Sequence, residues 1–135
     1  MRENIIGPKS IISMRLLDVV ANGDLIEISQ LLTAGADPNF PDVLNGSTCL
    51  HRLAATGHVP AIKLLLDNGA NPNIVTQNTS SSPLGIAALA GQIETVDLLV
   101  SRGARLSALE KATGLVQECR DCGYVRIAQA IESVL

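Results

Sequence analysis

The stretch LLLDNGANPN, Leu64 to Asn73, closes a run of leucines with Gly, Ala and a proline held between two asparagines. A glycine suits the left-handed position just past a helix C-terminus, and a proline soon after it cannot continue the helix. The segment therefore reads as a helix end followed by a turn. LLTAGADPN, Leu31 to Asn39, ends in almost the same way. One such ending is ordinary; two at a fixed distance mean that the chain repeats itself.

Other positions keep the same count. Gly23, Gly57 and Gly91 follow one another at intervals of 34 residues, and so do Gly35, Gly69 and Gly103. Leu31, Leu65 and Leu99 share the period, as do the branched residues Ile28, Ile62 and Val96. Self-similarity at a period of about 20 to 50 residues marks a stack of repeated units.

Within one period the spacing predicts two short helices. Thr48 can cap a helix through CLHRLAAT that stops at Gly57, and Ser82, followed by Pro83, does the same for LGIAALA and Gly91. A hydroxyl cap with proline at the first helical position is a strong start signal. A second helix is expected from about Val59 to Asp67, and from about Ile93 to Ser101. Helices of about two turns are too short to be stable alone in water. The pairs Ala54–Ala55 and Ala87–Ala88 let the helices of a unit approach closely. The leucine side of each second helix must then be buried on the neighbouring unit, so stacking holds the pieces together.

These residues carry a family resemblance. STCLHRLAATGHVPAIKLLLDNGANPN (Ser47–Asn73) resembles an ankyrin repeat, whose pattern has T-P-L-H at the first helix and G-H before the second. SSPLGIAALAGQIETVDLLVSRGA (Ser81–Ala104) resembles another, and MRLLDVVANGDLIEISQLLTAGADPN (Met14–Asn39) is similar to a less regular N-terminal copy. Ser107 to Leu135 resembles a capping copy in which either Cys122 or Gly123 takes the glycine place. The resemblance implies an all-α solenoid of stacked helix-turn-helix units with finger loops. We expect an N-terminal arm over residues 1–10 and a repeat domain over 11–135, with repeats at about 11–41, 42–75, 76–106 and 107–135. Four helix pairs, two of them capping, should be joined by two long fingers and a shorter last connection.

The departures from the pattern are specific. The period is one residue longer than the usual repeat of about 33. Cys49 stands where Pro is usual, and Gly85 stands where His is usual. FPDVLNGS and IVTQNTSSS are thus slightly enlarged fingers, and GADPN and GANPN are the turns that aim the chain outward before the next layer.

Composition narrows the function classes. The 135 residues are 47% hydrophobic but only 1% aromatic, with one Phe, one Tyr and no Trp. The chain therefore lacks the aromatic platforms used to bind single-stranded nucleic acid. A net charge of -3 leaves no electrostatic footprint for a phosphate backbone, so we expect no nucleic-acid partner. No stretch reaches the roughly 18 apolar residues of a membrane span. The N-terminal MRENIIGPKSIISMRLLDVV is interrupted by Gly7, Pro8, Lys9 and Arg15, so it offers no continuous signal-peptide core. Three cysteines are too few for a disulfide framework, and the expected location is cytoplasmic.

No catalytic constellation can be made out, so we expect a non-enzyme with no cofactor and no metal. His51 and His58 have no third ligand at a usual interval, and the resemblance makes both structural, with His51 tying adjacent turns by hydrogen bonds. Cys119 and Cys122 form a lone C-x-x-C inside a predicted helix. A zinc site needs four ligands, so two buried, apolar thiols are expected there; the alternative is a small metal- or thiol-dependent protein using this pair. Asn45-Gly46-Ser47 and Asn78-Thr79-Ser80 match the N-glycosylation pattern, but finger loops favour Asn and Ser for their turns in any case. Asp24, Glu27, Glu94 and Asp97 read as solvated faces of second helices.

What remains for function is the concave surface. The resemblance makes it a protein-docking strip, compatible with an inhibitor, effector or adaptor, and the free chain should be a monomer. Candidates on the first finger are Phe40, Val43, Leu44, Asn45 and Ser47, and on the second Thr76, Gln77, Asn78 and Ser81. The first helices add Arg52, Ala55, Thr56, Leu89 and Ala90. Phe40, beside Pro41, is expected either to be an exposed anchor or to fold back over the edge of the first repeat.

Overall fold

In a computed structural model the chain is described from residue 7 to residue 135. The helices are α1 (Pro8–Val19), α2 (Leu25–Thr33), α3 (Cys49–Thr56), α4 (Val59–Asp67), α5 (Pro83–Leu89), α6 (Ile93–Ser101), α7 (Ala108–Ala112), α8 (Leu115–Asp121) and α9 (Val125–Glu132). A 3₁₀ turn, Val20–Asn22, ends α1. No strand occurs among the described residues. The chain is an all-α solenoid. α2, α4, α6 and α9 form one row, each touching the next, while α3, α5 and α8 form the facing row with the 3₁₀ turn against α3.

The core repeats with the sequence. Leu50 and Leu84 are buried from the facing row, with Leu16 of α1 at the same place in the first unit, and Ile28, Ile62 and Val96 from the other row. Each helix is short, so this shared burial between layers is what stabilises it. α3, α4 and α6 have the bounds that the spacing predicts.

GADPN and GANPN now resolve into separate jobs. Ala36 and Ala70 donate their N–H groups back to the carbonyls of Leu31 and Leu65, at 2.9 and 3.0 Å, while Gly35 and Gly69 donate to Leu32 and Leu66. This paired 6→1 and 5→2 pattern ends each helix and needs a left-handed residue; Gly69 has φ +93. Asp37 and Asn71 each accept the N–H of the asparagine two residues on, at 2.9 Å. Those asparagines reach the next layer. Asn39 donates to the Gly69 carbonyl and accepts from Asn71 N–H, and Asn73 does the same with Gly103 and Arg105.

The other glycine ladder has a different cause. A Cβ at Gly23 would lie 2.8 Å from His58 Nε2, one at Gly91 2.9 Å from Tyr124, and one at Gly57 would collide with Gln92. Each glycine is thus roofed by a side chain from the following layer.

Two expectations on boundaries need correction. Pro8 already begins α1, so the arm expected over residues 1–10 loses its last three residues to a helix; residues 1–6 lie outside the described residues. The last unit holds three helices rather than a pair. Gly114, at φ +78, breaks the first helix of that unit into α7 and α8, and α8 is the part that packs on α5. Its register is fixed at Gly123, since Tyr124 N–H closes on the Cys119 carbonyl at 2.7 Å and Gly123 N–H on that of Arg120. Cys122 precedes this turn and is exposed.

Candidate docking groove

The two fingers are built from short-range polar locks. In the first, Asp42 N–H donates to the Ser47 carbonyl at 2.8 Å, and the Asp42 carboxylate accepts Leu44 N–H at 2.8 Å. In the second, Thr76 N–H donates to the Ser81 carbonyl at 3.0 Å, and Thr76 Oγ1 accepts Ser81 N–H at 3.0 Å. Gln77 N–H reaches across to the Asn45 carbonyl at 2.9 Å, which joins the fingers. Beneath them, Thr48 N–H donates to His51 Nδ1 at 2.9 Å, and His51 Nε2 lies 3.1 Å from the Ser81 carbonyl. The first contact leaves Nδ1 without a proton and the second places it on Nε2, so the ring is the neutral Nε2–H tautomer. Burial holds its pKa below the ordinary value, although the Ser81 and Ile74 carbonyls and the Glu110 carboxylate favour the charged form.

This geometry divides the candidate residues. Val43, Leu44, Asn45, Gln77 and Asn78 at the finger tips are exposed, as are Ala55, Thr56, Leu89 and Ala90 on the helices. Val43 and Leu44 are 85% and 83% exposed, side by side on a braced turn. Asn45, Ser47, Arg52, Ala55, Thr76 and Ser81 come together around a shallow groove of about 230 Å³. Phe40, Val43 and Arg52 line a smaller adjoining one of about 120 Å³ with Met14 and Leu17.

Several candidates are occupied within the fold. Phe40 packs partly buried against the core; it folds back rather than standing out as an anchor. Thr76 is buried, with its hydroxyl used inside the finger. Arg52 donates to the Leu17 carbonyl at 3.0 Å and to the Asp42 carboxylate at 2.7 Å, so it braces the first finger. Ser81 is half-buried, and its carbonyl receives both Thr76 and His51. Ala54, Ala87 and Ala88 pack in the core as expected, but Ala55 faces outward.

The cysteine pair is divided. Cys119 is fully buried, and burial pushes its thiol above the ordinary range, with Cys122 and Glu118 adding to the rise. Cys122 is exposed, contrary to the expectation of two buried thiols. Among the described residues no three His, Cys, Asp or Glu side chains are gathered as a metal-binding group. Asn45 and Asn78, the two glycosylation-pattern asparagines, are both exposed.

Sequence reasoning missed Glu110. Its carboxylate accepts Ser82 N–H at 3.0 Å and the Ser82 hydroxyl at 2.6 Å, and also Ser107 N–H at 2.8 Å. The signal was present as S-x-x-E at Ser107–Glu110, a capping-box pattern. Also missed was an open, mostly apolar groove of about 600 Å³ between α2 and α4, lined by Leu25, Ile26, Pro60 and Leu64. The outward position of Ile26, next to Leu25 on a second helix, was its only mark.

Stacked pairs with roofed glycines and layer-bridging asparagines match a known pattern. A family model described as ankyrin repeats, in three copies, matches residues 16–109. The chain belongs to the ankyrin repeat family. No match was found among curated proteins. Ankyrin repeats are in general protein–protein interaction modules, and the family is typically a non-enzymatic scaffold. Among the described residues no helix is long and apolar enough to cross a membrane.

Proposed function

We propose that this ankyrin repeat chain docks a partner protein on the strip formed by its finger tips and the exposed side of α3 and α5. The observation that carries the reading is the pair Val43 and Leu44, both more than four-fifths exposed on a turn braced by Asp42 and Arg52. Large apolar side chains fixed in water contribute nothing to folding, and exposed anchors of this kind become interface hot spots when a partner covers them. Leu89, 45% exposed, extends the apolar strip onto α5. A rigid scaffold also lowers the ordering cost of association. The repeat domain would act as one unit over the four repeats, without catalysis of its own.

The test is a double substitution that leaves the core alone. Leu44→Asp with Leu89→Arg should abolish capture of the partner isolated from the native source, while the melting temperature stays within a few degrees of wild type. Binding as tight as wild type would remove the strip from consideration.

A further inference from the structure

We infer that His51 is an acid-sensitive latch between the two fingers, closed while its ring is neutral and released when Nδ1 takes a proton. The inference rests on the docking reading for its consequence, since the latched fingers carry the proposed strip. The geometry is one ring joining two layers: Nδ1 accepts Thr48 N–H at the base of the first finger, and Nε2–H donates to the Ser81 carbonyl that closes the second. A proton on Nδ1 would face the Thr48 N–H at 2.9 Å, donor against donor. The Thr48 hydroxyl, 3.1 Å from Nδ1, can turn to accept that proton, but the buried backbone N–H is left without an acceptor. The ring must then shift, and its hold on Ser81 goes with it. The fingers are then joined by the Gln77 to Asn45 backbone bond and by the Gln77 side chain lying over Gly46.

Few other charges face the ring. Its own helix α3 carries Arg52, which is bound to Asp42 of the first finger, and the buried thiol of Cys49. The second finger, residues 74–81, and α5 carry no titratable side chain. From α7 the Glu110 carboxylate favours the charged ring, but burial outweighs it and the latched ring titrates below the ordinary imidazole range. An opened, solvated ring would titrate near the ordinary value of about 6.5. The latch is therefore closed above that value and opens as pH falls below it, by up to about tenfold in open population per pH unit for one proton. The next junction has Gly85 in place of a histidine, so the response is confined to this one.

Hydrogen exchange read by NMR on the full chain, with no partner present, tests the latch. Between about pH 7.5 and about pH 5.5, protection of the Thr48 amide should fall, by at most about tenfold, while that of Ala104, in the turn after α6, is unchanged. His51→Gln should flatten this response. His58→Gln, which places in the second repeat the residue found at position 92 of the third, should leave it intact. If Thr48 protection is flat in wild type, or the response disappears in His58→Gln, the latch is overturned; neither result touches the docking reading, because no partner enters the measurement. A loss of protection spread equally to Ala104 would also overturn it, as general acid unfolding.

Discussion

Glu110 caps Ser82 from the next repeat. The Ser82 N–H and hydroxyl reach one carboxylate at 3.0 and 2.6 Å, whereas Thr48, at the same place one repeat earlier, is capped by His51 of its own helix. Gly85 is what makes the exchange possible, because a Cβ there would collide with the Glu110 carboxylate. An absent side chain in one repeat thus makes room for a side chain of the following one.

The two positions should therefore be coupled. Glu110→Ala leaves the buried donors of Ser82 and the half-buried Ser107 N–H without that acceptor and should cost about 3 kcal/mol. Gly85→His alone should destabilise by colliding with Glu110. Together they place a histidine beside Ser82 as His51 stands beside Thr48, so the double variant should be more stable than the sum of the singles by more than about 1 kcal/mol. Urea unfolding of the four proteins measures this; additive losses would show that the carboxylate does not replace the missing side chain.

The two glycine ladders should respond differently to the same change. Gly69 has φ +93 and open space around its missing Cβ, so Gly69→Val should cost about 2 kcal/mol from backbone strain alone. Gly91→Val meets the same strain, at φ +73, and also the Tyr124 ring. It should cost at least about 1 kcal/mol more, and Tyr124→Ala should reduce that excess. Equal losses at both glycines would mean that the roofing contact is loose.

Asn73→Ala removes the bonds to the Gly103 carbonyl and the Arg105 N–H. Both are exposed, so the loss should be modest, about 1 kcal/mol. Exchange of the Arg105 amide should rise, which NMR would detect. Unchanged exchange there would show that solvent serves the amide as well as Asn73 does.

Periodicity made the first three layers legible because their turn glycines and buried Leu, Ile and Val positions keep one physical task every 34 residues. α4 and α6 could be bounded from the sequence because a glycine and a capping position bracket them. The last unit was not legible in the same way. Its helix is broken at Gly114, and its count from Gly91 to Gly123 is 32, so the period gave no purchase. The fate of Phe40 and Arg52 depended on partners remote in sequence, Leu17 among them, and spacing alone does not choose between a brace and a free contact. The finger tips were easier. Val43 and Leu44 lie between the turn residues Asp42 and Asn45, and they are exposed.

The thiols give a further test. Burial raises Cys49 to about 12 even with Arg52 nearby, and it raises Cys119 as well; Cys122 is exposed. Only a thiolate attacks a disulfide reagent. At neutral pH the folded chain should release one equivalent rapidly, lost in Cys122→Ser, and all three of its cysteines in denaturant. Rapid reaction of two in the folded state would place Cys119 nearer solvent than the packing of α8 allows.

The docking strip is tested most directly by a hydrogen-exchange and cross-saturation footprint of the chain bound to its native partner. The prediction is that Val43, Leu44, Asn45, Gln77, Asn78, Leu89 and Ala90 lose solvent contact, while Ile26, Pro60 and Leu64 on the opposite face keep theirs. A footprint on the α2–α4 groove, with the finger tips still open to water, would contradict the account.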